Sequence, residues 1–189
     1  MIIYFDYWEV LISIFVIYVC TFSVFKFFFK KNWIYMMYFT IFYIYLAEVV
    51  NLTQFPIYAM EGMVAEGNSI WNGLSLVPFS SIDVNNYFLN ICLTIPFGFG
   101  LPFLMHASWK KIMIASVIFI LIIEFSQFII GVSVGYMFRV FDVDDILFNF
   151  VGCMIGYVCF QWFQNTLMLL YRGDKSRFPV LFRDIMRAK

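Results

Sequence analysis

Five long apolar runs, separated by short polar or charged clusters, organise the chain. A run of about 20 apolar residues can cross the hydrocarbon core of a membrane as a helix, whereas a membrane barrel shows weak alternating segments. The pattern therefore predicts an all-α integral membrane protein, a single membrane domain over residues 1–189 that forms a bundle of five transmembrane helices. The predicted spans are residues 8–29, 33–50, 87–105, 112–131 and 145–171.

Composition supports this prediction, because 63% of the 189 residues are hydrophobic, whereas soluble domains have roughly 45–50% apolar residues. No part of the chain has the composition of a soluble domain. All four cysteines lie in apolar runs without a metal-type spacing, so we expect them to be small buried hydrophobic residues. They are Cys20, Cys92, Cys153 and Cys159.

The positions of the basic residues predict the orientation of the bundle, since Lys and Arg are retained on the cytoplasmic side. If the amino end is outside and the carboxyl end inside, every basic residue except Arg139 falls on the inner side. The opposite orientation would place nearly all of them outside. We therefore expect a basic cytoplasmic tail at residues 172–189.

The connection between the second and third helices is long and contains no Lys or Arg over residues 51–85. Connections of this length are uncommon in compact domains and are usually functional loops or elements of their own. Because parts of it are apolar, we expect it to be partly membrane-associated. The third span contains Pro96 among glycines, which predicts a break or kink there.

Polar side chains recur at helical spacing on three of the predicted spans. Steps of three or four residues place such side chains on one face of a helix. One face of each of these helices should therefore point polar groups into the bundle, and the small-xxx-small pair on the fifth should allow close helix packing. The sets are Asn86, Asn90 and Thr94; Glu124 and Gln127; and Asp145, Asn149, Gly152 and Gly156.

Charge is concentrated in the stretch from Phe138 to Asn149, which holds Arg139 and the sequence Asp142-Val143-Asp144-Asp145. Asp144 or Asp145 could cap the amino end of the fifth helix, since helix amino ends favour carboxylates. One aspartate suffices for a cap, and three close carboxylates repel one another unless a cation or Arg139 lies among them. A divalent cation, Mg²⁺ or Ca²⁺, bound by the three aspartates is one hypothesis.

Two interpretations of the polar residues remain open from the spacing. In the first, Glu124 pairs with Arg139 and stabilises the bundle. In the second, which explains more of the pattern, the polar residues line an outward-facing pocket that binds a ligand. The predicted ligand-binding residues are Asn86, Asn90, Glu124, Gln127, Arg139, Asp142, Asp144, Asp145 and Asn149.

The order and spacing of these residues resemble the VanZ-like family of small bacterial membrane proteins. The resemblance covers residues 72–158, with Pro78-Phe79 ahead of the third helix, and departs from the family in the spacer between Gln127 and Arg139. The matching pattern is Asn86, Asn90, Pro96-x-Gly98-x-x-x-Pro102, Glu124-x-x-Gln127, and Arg139-x-x-Asp142-x-Asp144-Asp145-x-x-x-Asn149-x-x-Gly152-x-x-x-Gly156.

The resemblance implies a multi-pass protein of the bacterial cell membrane, related to a teicoplanin-resistance accessory protein. It suggests binding or modification of an amphiphilic cell-envelope ligand, contributing to low-level glycopeptide resistance or envelope homeostasis. One alternative is a metal-assisted enzyme acting on a lipid-linked phosphate or sugar, and another is a helix-packing partner of another membrane protein through Gly152 and Gly156. We expect membrane lipids and a lipid-linked or lipoglycopeptide ligand as partners, and no nucleic acid; catalysis and oligomeric state stay open.

Overall fold

Five helices long and apolar enough to cross a membrane make up the structure, a computed structural model that describes residues 2–58, 74–80, 82–105, 108–134 and 141–170. The predicted five-helix membrane fold is confirmed, whereas its orientation stays a prediction. The helices are α1 (Trp8–Ser23), continued by a π-helical turn (Val24–Phe28), α2 (Trp33–Gln54), α3 (Val84–Leu104), α4 (Trp109–Val134) and α5 (Val143–Leu170).

Side-chain caps define where several helices begin. Asn32 Oδ1 accepts a hydrogen bond of 2.7 Å from the Tyr35 backbone N–H and so caps α2. Asp83 Oδ1 caps α3 by accepting from the Asn85 and Asn86 backbone N–H groups, each at 3.1 Å. These caps satisfy backbone donors that have no partner within the first turn.

α3 continues through Pro96, so a break in this span is not found, whereas the predicted kink stays a prediction. A helix tolerates proline in a membrane when neighbouring helices satisfy the nearby backbone groups. The Tyr45 hydroxyl of α2 donates to the Leu93 carbonyl of α3 at 2.9 Å, one turn before this proline. The contact joins α2 to α3 in the middle of the bundle.

Two short strand pairs lie at the helix ends. β1 (Ile2–Ile3) pairs antiparallel with β2 (Ile57–Tyr58), and β3 (Leu74–Ser75) pairs parallel with β4 (Phe141–Asp142). The second pair fastens the end of the long connection to the start of α5. The remainder of that connection, residues 59–73 and 81, lies outside the described residues, and so do His106 and the predicted basic tail.

The most extensive helix contact in the described chain joins α3 and α5, and three glycines make it close. A Cβ atom at Gly98 would overlap the Cys153 carbonyl, and one at Gly152 or Gly156 would overlap the backbone of α3. The predicted small-residue face of α5 therefore packs within the chain. The two α5 glycines are not available as an interface with another membrane protein, which corrects that alternative.

The core lies beside this contact, where the Phe97 and Phe119 rings stack with centroids 4.0 Å apart. α1 lies at the edge of the bundle against α2 and has no buried residue. Its hydrogen bonds include one of 2.7 Å from the Tyr43 hydroxyl to the Ile14 carbonyl. Among the four cysteines only Cys153 is buried, which corrects the expectation for the other three.

Candidate functional site

A polar cavity of about 590 Å³ lies where α2 ends and α3 and α5 begin. This volume is within the range of roughly 300–1,000 Å³ that small-molecule sites occupy. The part of the lining that the structure describes comes from α2, α3, α4, β4 and α5. These residues are Leu52, Thr53, Asn86, Leu89, Asn90, Cys92, Leu93, Ile123, Glu124, Gln127, Asp142, Asp145 and Asn149.

Asp145 is held by two amides of α3. Asn86 Nδ2 donates to Asp145 Oδ1 at 2.8 Å, and Asn90 Nδ2 donates to the same oxygen. The two asparagines are one helical turn apart, so the helical repeat brings both amides to a single carboxylate. Both bonds use Oδ1, and no described residue donates a hydrogen bond to the second oxygen, Oδ2.

Asn149 lies one turn further along α5 and is 2% exposed. Its backbone carbonyl accepts a hydrogen bond of 2.7 Å from Thr94 Oγ1, whereas its side-chain oxygen, Oδ1, is buried and has no hydrogen-bond partner among the described residues. A buried acceptor without a partner costs about 1–3 kcal/mol, so such a group in a native protein requires an explanation. Asn149 is also one of the residues that line the cavity.

Asp142 has the capping role expected of Asp144 or Asp145, and Asp144 lies away from the cavity. Asp142 Oδ1 accepts from the Asp144 backbone N–H at 2.9 Å, so Asp142 caps α5 in place of Asp144 or Asp145. Asp144 is 1% exposed and does not line the cavity. Both of its oxygens accept from the Phe79 backbone N–H at 3.0 Å, and Oδ2 also accepts from the Tyr87 hydroxyl at 2.9 Å. Asp144 thus anchors the segment before α3 to α5.

The three aspartates do not converge on one point. Asp142 caps a helix, Asp144 binds Phe79 and Tyr87, and Asp145 accepts from two asparagines. Over the described ranges, no three His, Cys, Asp or Glu side chains are arranged to hold a metal ion. The Mg²⁺ or Ca²⁺ site proposed for these three aspartates therefore stays a prediction.

α4 contributes two buried polar side chains to the cavity, as its spacing predicts. Glu124 is 1% exposed, and Gln127 Nε2 donates to the Thr53 carbonyl of α2 at 3.0 Å. The contribution of α2, through Leu52 and Thr53, was missed from the sequence. The signal for α2 in the sequence was weak, because only the polar residues at the end of the second apolar run distinguished this helix from one that faces lipid.

Arg139 lies outside the residues that the structure describes, so its pairing with Glu124 and its role in ligand binding stay predictions. Of the other predicted ligand-binding residues, all except Asp144 line the polar cavity. The structure thus brings together side chains from three helices that spacing alone could assign only to helix faces.

These features define a multi-pass membrane protein of five helices with a polar cavity at one end of the bundle. The family model described as VanZ/LLP1 matches residues 10–164, most of the chain. The chain therefore belongs to the VanZ-like family, and the match extends beyond the predicted residues 72–158 to include nearly all of α1 and the whole of α2. The chain matches no curated protein and no solved structure.

Proposed function

We propose that the polar cavity binds the head of an amphiphilic cell-envelope ligand that donates hydrogen bonds. In a bacterial membrane this binding would lower susceptibility to a lipoglycopeptide such as teicoplanin or serve envelope homeostasis. The observation that carries the proposal is Asp145, which lines the cavity and whose Oδ2 accepts no hydrogen bond from a described residue, together with the buried amide of Asn149 beside it.

The lining favours a ligand rich in donors. In the described part of the lining, the charged side chains are all acidic: Glu124, Asp142 and Asp145. Sugar hydroxyls, ammonium groups and amide N–H groups would each satisfy a buried acceptor, and a donor to a carboxylate forms the stronger bond. A sugar-bearing or amino-bearing head fits this chemistry.

The apolar part of the lining supports an amphiphile. Leu52 and Leu89 line the cavity and are 60% and 63% exposed. Because both lie on membrane-spanning helices, their exposed surfaces would face lipid. A ligand with a polar head and a hydrocarbon part would be accommodated at such a boundary, and the family's link to a lipid-tailed antibiotic agrees with it.

Asp145→Asn tests the proposal, because asparagine can keep both amide bonds on Oδ1 while it replaces the acceptor Oδ2 by a donor. The measurement is teicoplanin binding to the protein in lipid nanodiscs by titration calorimetry, together with teicoplanin susceptibility of a bacterial host. We expect about tenfold weaker binding, the equivalent of one good hydrogen bond. Asp6→Asn is the matched control, since Asp6 is exposed and does not line the cavity.

Equal teicoplanin binding by the parent and Asp145→Asn, with host susceptibility unchanged at equal expression, would contradict the proposal. A similar loss of binding in Asp6→Asn would also contradict it, because the effect would then come from net charge and not from the cavity. Thermal unfolding of both variants shows whether the fold is retained.

A further inference from the structure

An apolar groove with a volume of about 270 Å³ lies between α2 and α3. The same two helices also contribute to the lining of the polar cavity. Among the described residues of its lining, the polar side-chain atoms are the two tyrosine hydroxyls. The lining residues are Tyr38, Ile41, Phe42, Tyr45, Pro96, Phe99, Gly100 and Phe103.

The cavity and the groove occupy one continuous face of α3. Leu89 and Cys92 line the cavity, and Pro96, Phe99 and Phe103 line the groove. These residues follow one another at steps of three or four, which keeps them on one side of a helix. A molecule that leaves the cavity along this face therefore enters the groove.

Tyr45 lies between the groove and the polar cavity. Its ring lines the groove, and its hydroxyl donates at 2.9 Å to the carbonyl of Leu93, which lines the cavity. On α2, Tyr45 lies two helical turns from Leu52, which is at the mouth of the cavity. The seam between α2 and α3 thus changes from polar to apolar within about two turns.

The groove has lipid-exposed residues on both of its helices. Ile41 on α2 is 60% exposed, and Pro96 on α3 is exposed as well. Gly100 forms part of the groove wall, and a Cβ there would lie 2.9 Å from a ring carbon of Phe42. The absent side chain lets α2 and α3 approach while the groove beside them stays open.

We infer that this groove binds the hydrocarbon chain of the amphiphile whose head occupies the polar cavity, and that the ligand enters sideways from the lipid. This inference rests on the proposed function. The α3 residues that line the groove run from Pro96 to Phe103, seven residue steps that rise about 10 Å at ~1.5 Å per residue. That length is about a third of the ~30 Å hydrocarbon core, so the groove holds part of one acyl or isoprenyl chain of a single leaflet.

The shared ligand chemistry is a sugar-bearing head on a hydrocarbon chain, which an envelope glycolipid and a lipoglycopeptide both provide. The test uses two photoactivatable probes with the same diazirine-bearing acyl chain in nanodiscs: a diglucosyl diacylglycerol and the diacylglycerol without sugars. Mass spectrometry of the cross-linked peptides measures labelling of the groove residues. In the parent protein, which needs no substitution, we expect the sugar-bearing probe to label the groove about tenfold more strongly.

Variants then test separately the binding of the polar head and the binding of the hydrocarbon chain. Ile41→Trp fills the groove, and we expect it to lower labelling about tenfold, as the loss of contact with two methylene groups implies. Ile44→Trp is the matched control, because Ile44 lies on the same helix, is 58% exposed and lines none of the described cavities. Asp145→Asn should reduce labelling by the sugar-bearing probe to the level of the probe without sugars.

Equal labelling of the groove by both probes would overturn the inference, since the groove would then hold bulk lipid. Loss of teicoplanin binding in Asp145→Asn but not in Ile41→Trp would overturn it too, while leaving the proposed function intact. If Asp145→Asn changes neither teicoplanin binding nor labelling, the proposed function itself fails. Teicoplanin competing for the sugar-bearing probe in the parent would show that both ligands use one site.

Discussion

Replacing Asn149 by leucine tests the reasoning about the cavity most directly. Its side-chain oxygen is buried without a hydrogen-bond partner among the described residues, and the hydrogen bond from Thr94 Oγ1 goes to its backbone carbonyl. Leucine has a similar shape and leaves the backbone bonds in place. The substitution therefore removes the side-chain amide, with its unsatisfied acceptor, without breaking a hydrogen bond to a described residue, whereas most buried polar-to-apolar changes also break one.

The expected stability change follows from the cost of the orphaned oxygen. An unsatisfied buried polar group costs about 1–3 kcal/mol, so Asn149→Leu should raise the free energy of unfolding by about 1 kcal/mol. In the proposed ligand complex the side-chain amide of Asn149, which lines the cavity, would hydrogen-bond to the ligand. Loss of this amide should weaken teicoplanin binding about tenfold. Stability and binding are thus expected to change in opposite directions.

Unfolding in detergent micelles, followed by tryptophan fluorescence, measures the first change, and calorimetric titration in nanodiscs measures the second. Asn165→Leu is the matched control, because Asn165 lies on the same helix and is exposed. The control should alter neither quantity. Destabilisation of Asn149→Leu by about 1 kcal/mol or more, with binding retained, would refute the reasoning, because the side chain would then serve the fold alone.

Further substitutions test the packing and the anchors around the cavity. Gly156→Ala should destabilise the fold by about 1–3 kcal/mol because its Cβ would overlap the backbone of α3. Gly100→Ala should destabilise the fold less, because its Cβ would meet only a side-chain ring. Equal losses of stability would argue against the close helix contact. Tyr87→Phe should lower the unfolding midpoint by removing a donor to the Asp144 carboxylate, and an unchanged midpoint would contradict that bond. Asn32→Ala should cost about 1 kcal/mol by removing the cap of α2, and recovery in Asn32→Ser would identify the cap as the cause.

Much of the fold follows from the sequence through two physical constraints. The bilayer has a set thickness, so the length of each apolar run predicts a spanning helix independently of its neighbours. The helical repeat then assigns side chains to faces, which is why Asn86 and Asn90 could be placed together and Glu124 could be placed facing inward. Both constraints are local, and neither requires knowledge of the rest of the chain.

The uses of the individual aspartates depend on contacts that local patterns do not encode. Asp144 binds the backbone of Phe79, 65 residues earlier, and Asp145 binds amides more than 50 residues away. Three neighbouring carboxylates look alike in the sequence, and only the packing of helices decides which one caps α5, which one anchors a loop and which one faces the cavity.

The cavity itself, with the contribution of Leu52 and the groove that continues from it, also depends on tertiary structure. It exists because α2 lies beside α3, and because the close approach of α3 and α5 brings Asp145 under the two asparagines. The sequence by itself determined the helices and their polar faces, since bilayer thickness and helical periodicity act within one segment. The tertiary structure decided which faces meet, since that depends on how glycines and large side chains pack between helices far apart in the chain.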